Sequence, residues 1–415
     1  MATVRPFAAL RPQKEYAPKI ASPPYDVLSS DEAREMAKDN PLSFLHVVKP
    51  EIDLEPGIDH YDEKVYRKGA ENLHKLVEKG YLQQDTSPSF YVYRQVMGNH
   101  QQVGLVACAS VEEYEKDIIK KHELTRQEKE DDRLNHIKHL NAQTGPVFLT
   151  YRARESMDTL IDKAVSEPAE YDFEDENKVR HTFWVIRKNE LIEAIQSEFK
   201  QVDYLYVADG HHRSAAAMRM KRLMQQQNPT HTGQEEYNFF LTVIFPHNQM
   251  QILDYNRIVK DLNGYSVNEF LEMVSRKFSL TPQDNGNEFK PSEKHTFGMY
   301  LNGQWYKLAA KEGIFNADDP VERLDVSILQ NNLLSPILGI EDPRKDQRID
   351  FVGGIRGLKE LEKRVNSGDW QVAFALYPTS MDDLMAIADA GKIMPPTSTW
   401  FEPKLRSGLA IHLLD

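Results

Sequence analysis

The sequence contains a single cysteine among its 415 residues. One cysteine excludes internal disulfide bonds and any zinc cluster built from cysteines. Cys108 lies within the apolar run 106–109. We therefore expect it to be buried in a strand as a small hydrophobic residue, because such burial is far commoner for a lone cysteine than catalysis.

The chain is also poor in positive charge and in long hydrophobic runs. Its formal net charge is −13, which works against broad contact with nucleic acid or with an anionic membrane. No run approaches the roughly 18 apolar residues that span a bilayer, and residues 1–7 lack the apolar core of a signal peptide. These observations predict a cytoplasmic protein with no membrane partner.

The apolar content of 40% and the charged content of 28% are typical of a folded globular protein. The length allows two or three domains, and neither repeats nor a low-complexity linker divide the chain. Strand-like and helical patterns alternate, which favours an α/β protein. Among the predicted elements are a hairpin of strands 89–96 and 102–107, helices at 60–79 and 324–338, and a strand at 204–207.

The most informative segment is Asp209-Gly210-His211-His212-Arg213, which follows the strand at 204–207 and leads into an alanine-rich helix. A strand, a glycine turn and a helix start bring backbone N–H groups together on an anion. Arg213 can bind phosphate oxygens through two N–H groups, and Asp209 can hold a magnesium ion or accept a hydroxyl proton. The alternative is a polar turn whose aspartate caps the helix and whose histidines face solvent.

A second polar cluster lies at 121–133 and includes His122, Glu123, Thr125 and Arg133. Such a set can supply cations to phosphates and a carboxylate to an acceptor hydroxyl. From spacing alone, a solvated helix with ion pairs three residues apart is the favoured interpretation. His136 and His139 have no third ligand at zinc spacing, so we predict that they lie on an exposed helix.

Two further segments carry polar side chains on rigid loops. The C-terminal loop 394–404 holds three prolines, and its Ser398, Thr399 and Lys404 are candidates for binding a substrate. Asp26 follows Pro23-Pro24-Tyr25 and is a candidate base. The alternatives are a packing loop for the first segment and a turn-capping carboxylate for the second.

The whole chain resembles the family called domain of unknown function 1015, which also carries a SpoOJ/ParB-like label, within the ParB/sulfiredoxin superfamily. The Asp-Gly-His-His-Arg box is similar to that of the free serine kinases of this superfamily. Sulfiredoxin chemistry needs a cysteine where this chain has His211. DNA partitioning needs a helix-turn-helix domain and a basic surface, and neither is evident. The matching segments are Arg5-Pro6-Phe7, residues 23–27, His122-Glu123-x-Thr125, Lys129-x-x-Asp132-Arg133, Asn256-Arg257 and residues 394–404.

The resemblance implies an α/β fold with a ParB/sulfiredoxin-like nucleotide-binding core, a mixed sheet, large insertions and a C-terminal α+β region. The core is expected at 1–258 and the C-terminal region at 259–415, whose last segment, 394–408, could return to the active site. In the serine kinases the acidic catalytic group precedes the box, a description that both Asp26 and Glu123 fit.

The implied activity is a nucleotide-dependent kinase, with ATP or ADP as donor and Mg²⁺ as cofactor, which phosphorylates a small hydroxyl metabolite. Free L-serine is the leading candidate. The alternative is a ParB-like nucleotide-binding or hydrolysing regulator that acts through a protein partner. The implied site residues are catalytic Asp209 (also the metal ligand), Glu123 and Asp26; nucleotide-binding Gly210, His211, His212, Arg213, Ser214, His122, Thr125 and Arg133; and substrate-binding Ser398, Thr399, Lys404, Asn256 and Arg257.

Overall fold

A computed structural model describes residues 1–284 and 287–415. Its strands, numbered in chain order, have the following bounds. They are β1 Val4–Arg5, β2 Leu10–Pro12, β3 Leu82–Gln84, β4 Phe90–Met97, β5 His100–Ser110, β6 Ile119–Lys120, β7 Ala142–Gln143, β8 Val147–Tyr151, β9 Tyr171–Glu174, β10 Val179–Ile186, β11 Leu205–Asp209, β12 Phe239–Pro246, β13 Gln251–Leu253, β14 Tyr255–Val259, β15 Phe278–Pro282, β16 Thr296–Leu301, β17 Gln304–Ala310, β18 Ile349–Gly353, β19 Val372–Leu376, β20 Trp400–Glu402 and β21 His412–Leu413.

The helices are numbered in the same way. They are α1 Ala17–Ile20, α2 Ser30–Ala37, α3 Leu45–Val48, α4 Glu63–Glu78, α5 Val111–Glu115, α6 Gln127–Leu140, α7 Glu155–Val165, α8 Asn189–Phe199, α9 His211–Gln227, α10 Val267–Lys277, α11 Asp325–Leu329, α12 Leu358–Asn366 and α13 Met381–Asp389. None of these helices is both long enough and apolar enough to cross a membrane.

The chain divides into two compact units: the first comprises residues 1–250 and 403–415, and the second comprises 251–402. The first is organised around a nine-stranded sheet in the order β6-β11-β8-β12-β5-β4-β10-β9, with β1 paired to β5. β11 is parallel to β6, and β12 is parallel to β8, whereas the other pairs along this path are antiparallel. A mixed α/β architecture is therefore confirmed, while a ParB/sulfiredoxin-like core and the domain bounds at 258/259 stay predictions.

The central strands of the large sheet are largely apolar and buried, whereas the edge strand β9 has exposed polar residues. β8, for example, is buried along its whole length, as expected for a central strand covered by helices. Cys108 is fully buried in β5, as the apolar run predicts. The hairpin of β4 and β5 turns at Gly98, which has a positive φ of 57°, and this confirms the predicted hairpin.

The segment 403–415 belongs to the first unit and is fixed there by buried polar contacts. Arg406 forms an ion pair with Asp175, which also contacts His181 at 2.9 Å. β21 pairs with β7, and Leu10 forms a bridge with Ile411. These contacts bring the end of the chain back to the sheet that carries the Asp209–Arg213 box.

The second unit is built on a six-stranded antiparallel sheet in the order β15-β17-β16-β19-β14-β18. Its core includes Trp305, Ile258 and Leu361. β13 and β20 pair with each other and place Gln251 opposite Glu402, so the two ends of this unit meet.

Candidate functional site

The site is built on the turn between β11 and α9. Asp209 ends the strand, His211 begins the helix, and Gly210 between them has φ 101° and ψ 29°. A Cβ atom at Gly210 would lie 3.2 Å from Nε and Cζ of Arg213, so glycine is required by both backbone conformation and space. The predicted strand, turn and helix start are confirmed. The first N–H groups of α9, which have no acceptor within the helix, lie beside this turn.

His122 and Glu123 lie beside this turn because they follow the short strand β6, which pairs with β11. Leu205 pairs with Ile119 and Tyr206 with Lys120, in parallel. Parallel strands end at the same edge of a sheet, so the residues that follow β6 lie beside those that follow β11. His122 contacts His211, with ring centroids 4.5 Å apart and ring planes at 89°.

Asp209 is held by two cations. Its Oδ2 lies 3.3 Å from Nζ of Lys404, and its Oδ1 lies 3.9 Å from Nη2 of Arg213. Burial alone would raise the pKa of Asp209, but the charges of Lys404 and Arg213 outweigh it and hold the pKa well below its usual range. Asp209 is therefore a firmly ionised carboxylate, which suits charge balance and metal binding better than proton abstraction.

Arg213 is the cation of the turn and is nearly buried, with its side chain 11% exposed. It donates to the carbonyl of Pro146, just before β8, and its Nη2 lies 3.7 Å from Oδ2 of Asp26. Its Nε has no hydrogen-bond partner among the described residues. The structure thus brings Asp26 to the box, and it leaves one buried donor of Arg213 to be satisfied.

Arg133 lies near this end of the box. Its guanidinium stacks at 3.7 Å over the ring of Tyr25 and donates twice to Oδ2 of Asp132, at 3.0 and 2.7 Å. Tyr25, Arg133 and Arg213 line a cavity of about 30 Å³ together with Gly145 and Ser407. By volume such a cavity holds a water or two, so it is too small for a nucleotide.

The other end of the box is formed by Glu123 and the two imidazoles. Oε2 of Glu123 lies 3.9 Å from Nδ1 of His211. Burial, helped by the charge of Asp209, raises the pKa of Glu123 to about 7. Burial lowers the pKa of His122 to about 4. Burial also holds the pKa of His211 well below its usual value, and the neighbouring His122 adds to this effect. Near neutral pH the histidines are uncharged and Glu123 can exchange a proton.

Three predicted nucleotide-binding side chains have partners within the first unit. Nε2 of His212 accepts from the amide of Arg126 at 3.1 Å, and Thr125 donates to Glu130. Ser214 is buried and donates to the carbonyl of Gly210 at 3.2 Å. The contact of His212 joins the 121–126 segment to α9, and that of Thr125 joins it to α6.

The other predicted substrate-binding residues lie in the second unit. Asn256 is buried and bonded to Asp254 and to the amide of Leu376. Arg257 donates to the carbonyls of Tyr255 and Thr397. Ser398 donates to the carbonyl of Pro395 at 2.6 Å, and Thr399 follows it in the same loop. The substrate-binding role of these four residues stays a prediction.

Sequence reasoning missed several partners of the site and misplaced His136. His136 is buried rather than exposed, because its Nε2 bonds to the carbonyl of Val47 at 2.9 Å. The Pro146 carbonyl was also missed, since a backbone group leaves no mark in side-chain patterns. The stacking of Tyr25 with Arg133 was missed too, because the two residues are far apart in sequence and only the fold brings them together.

A mixed α/β protein with a polar glycine turn at the start of a helix is the class that fold and site define. The sequence matches the family described as "Protein of unknown function (DUF1015)" over residues 4–327, so the chain belongs to this family. No curated protein sequence matches it. The family membership expected from the motifs is confirmed.

Several solved structures are similar to this chain. A free serine kinase in complex with AMP covers 71% of this chain and 89% of its own length, with 14% identity and a TM-score of 0.34. A conserved hypothetical protein from Pyrococcus furiosus covers 72% and 93%, with 15% identity and a TM-score of 0.35. SbnI with a C-terminal truncation, from Staphylococcus aureus, covers 74% and 87%, with 11% identity and a TM-score of 0.39. These scores are too low to bear on the function of this chain.

Proposed function

We propose that this protein is a nucleotide-dependent kinase that phosphorylates a small hydroxyl metabolite, with free L-serine as the leading candidate. One observation carries the proposal: a glycine-led helix start holds a buried arginine, and a carboxyl group lies on each side of it. Asp26 is 3.7 Å from Arg213, and Glu123 is 3.9 Å from His211. A phosphate site flanked by candidate bases is what phosphoryl transfer to a hydroxyl requires.

The helix start and Arg213 would bind the phosphates of ATP or ADP. The first N–H groups of α9 have no partner within the helix, and its dipole favours an anion at this end. Nε of Arg213 is the buried donor left without a hydrogen-bond partner among the described residues. A phosphate oxygen beside the turn would satisfy it and would relieve the cost of an unpaired buried donor, roughly 1–3 kcal/mol.

Glu123 fits the role of general base better than Asp209. A base works best when its pKa is close to the working pH, and burial raises the pKa of Glu123 to about 7. Asp26 is the alternative, because it is 38% exposed and lies beside Arg213, where an acceptor hydroxyl could approach the phosphate.

Asp209 would hold the Mg²⁺ that accompanies the nucleotide. Ionised carboxylate oxygens are the ligands that Mg²⁺ prefers, and the low pKa of Asp209 keeps it ionised. When bound, Mg²⁺ supplies neutralising charge to the phosphates. Lys404, which lies 3.3 Å from Asp209, can move its charge to a phosphate oxygen as the metal takes its place.

The experiment is incubation with serine, Mg²⁺ and either ATP or ADP, followed by mass detection of phosphoserine. The variants Glu123→Gln and Asp26→Asn decide which carboxylate is the base, and Glu128→Gln, at an exposed position of α6, is the matched control. We expect Glu123→Gln to lower kcat by about 100-fold or more with little change in nucleotide affinity. Nucleotide hydrolysis without phosphoserine would contradict the kinase and favour the nucleotide-dependent regulator.

A further inference from the structure

Three potential metal ligands converge behind the box. One ligand atom from each of His122, Glu123 and His211 lies within 4.8 Å of the other two. Two of these residues come from the segment after β6 and one from the start of α9, so the parallel pairing of β6 with β11 creates the cluster. Its composition, two imidazoles and one carboxylate, differs from the all-oxygen set that Mg²⁺ prefers.

The histidines of this cluster have buried nitrogens that make no well-formed hydrogen bond with the described residues. His122 is 1% exposed, and its one backbone neighbour, Val207, is not placed for a hydrogen bond of good geometry. His211 is 4% exposed, and its Nε2 also has no hydrogen-bond partner among the described residues. Buried imidazoles without partners are costly, and the loss is recovered when a ligand binds them.

The charges near the cluster are compatible with a bound cation. Asp209 adds a negative charge close by, whereas Lys404 and Arg213 are paired with Asp209.

We propose that His122, Glu123 and His211 form a binding site for a divalent transition-metal ion of the zinc class. Two imidazoles and a carboxylate are a donor set typical of zinc sites that keep a coordination position open for water or substrate. This site is separate from the Mg²⁺ assigned to Asp209, and it goes beyond the proposed function because it needs no nucleotide. With the ion bound, Glu123 serves as a metal ligand, and Asp26 is then the candidate base.

The test is a titration of tag-free, chelator-treated protein with Zn²⁺ by calorimetry, and with Co²⁺ by its visible absorption, in the absence of nucleotide. We expect one equivalent to bind. His122→Ala and Glu123→Gln should each weaken binding by about 100-fold or more, because each removes one of three ligands. His139→Ala, on α6 outside the cluster, is the matched control and should bind as the wild type does.

Stoichiometric binding that is lost in the variants supports the site. Absence of binding to the wild type, or unchanged binding in both variants, overturns it. Glu123→Gln keeps the size of the side chain, so it is expected to fold and decides the question even if His122→Ala does not. Phosphoserine formation without Zn²⁺ or Co²⁺ binding would overturn the metal site and leave the kinase proposal standing. Metal binding without phosphoserine formation would support the metal site and contradict the kinase proposal.

Discussion

At the scale of single residues, Arg213 combines most of the contacts that define the candidate site. It bonds to the carbonyl before β8, and it lies 3.7 Å from Asp26 and 3.9 Å from Asp209. A planar guanidinium presents five donors in a fixed fork, whereas an ammonium group is a compact point charge on a flexible stem. The charge and the shape of this side chain should therefore both matter.

Replacing Arg213 tests these two properties separately. Arg213→Lys keeps the charge but loses the planar pair of N–H donors, and we expect nucleotide affinity to fall about 10-fold. Arg213→Ala loses both, and we expect nucleotide affinity to fall about 100-fold or more. Calorimetric titration with ATP and ADP measures both. Arg222→Lys, an exposed change on the same helix, should have no effect. Wild-type affinity in Arg213→Ala would mean that the turn does not bind phosphate.

Gly210 gives a second test at this scale. Gly210→Ala forces a non-glycine residue to φ 101° and brings its Cβ 3.2 Å from the Arg213 guanidinium. We expect a loss of about 1–2 kcal/mol in the free energy of unfolding and weaker nucleotide binding. Gly98→Ala is the matched control, since Gly98 also has a positive φ, of 57°, but a Cβ added there would meet no atom within 4 Å. Equal effects of the two changes on nucleotide binding would contradict a role for Gly210.

At the scale of elements, the patterns that depend on local sequence were predictable. Ser-x-x-Glu is the pattern of a capping box, and Ser29 and Glu32 form one at the start of α2. Asn-Gly is typical of a hairpin turn, and Asn302-Gly303 joins β16 to β17. The two-residue strand β6 was missed, because so short an element has no periodicity of its own and exists only through pairing with β11. That pairing places His122 and Glu123 in the site, so this part of the geometry could not be derived from spacing.

The predicted helix at 324–338 shows the same limit of local patterns. It begins as α11, but Gln330–Leu334 form a wider, π-helical turn. An apolar run predicts burial, whereas the winding of its last turns depends on what packs against it. Tertiary contacts, such as that of Asn332 with the carbonyl of Ile314, lie outside any sequence window of this length.

The first residue of α11 yields a prediction on pH and stability. Oδ1 of Asp325 accepts from the amide of His295 at 2.9 Å, whereas Oδ2 has no hydrogen-bond partner among the residues described. Burial raises the pKa of Asp325 from 3.8 to about 7. The folded form thus holds its proton more tightly than the unfolded chain, so stability should decline as the pH rises from 4 to 7.

Asp325→Asn should remove that decline. At pH 8 the variant should be more stable than the wild type by roughly 2–4 kcal/mol, and the difference should shrink toward pH 4. Urea unfolding followed by circular dichroism across this range measures it. Asp318→Asn, at an exposed position of the same unit, is the matched control. A wild-type pH profile in Asp325→Asn would show that Asp325 does not titrate as argued.

At the scale of the whole molecule, the second unit is a continuous insertion in the first. Gln251 and Glu402 are paired across β13 and β20, so the chain enters and leaves this unit at neighbouring points. The first unit needs both of its parts, because Arg406 and β21 of the returning segment are bonded to Asp175 and β7. Insertions with adjacent ends can be removed without breaking the fold that receives them.

Replacing residues 251–402 with a short glycine-serine linker should therefore leave a folded first unit. Because the box, Lys404 and both candidate bases belong to that unit, we expect ATP or ADP to bind within about threefold of the full-length affinity. Removing 403–415 instead should destabilise the unit, since it deletes Lys404 and Arg406. Serine phosphorylation by the excised protein then tests the substrate-binding role predicted for Ser398, Thr399, Asn256 and Arg257. Full activity would contradict that role, whereas loss of nucleotide binding by the folded product would contradict the assignment of the phosphate site to the first unit alone.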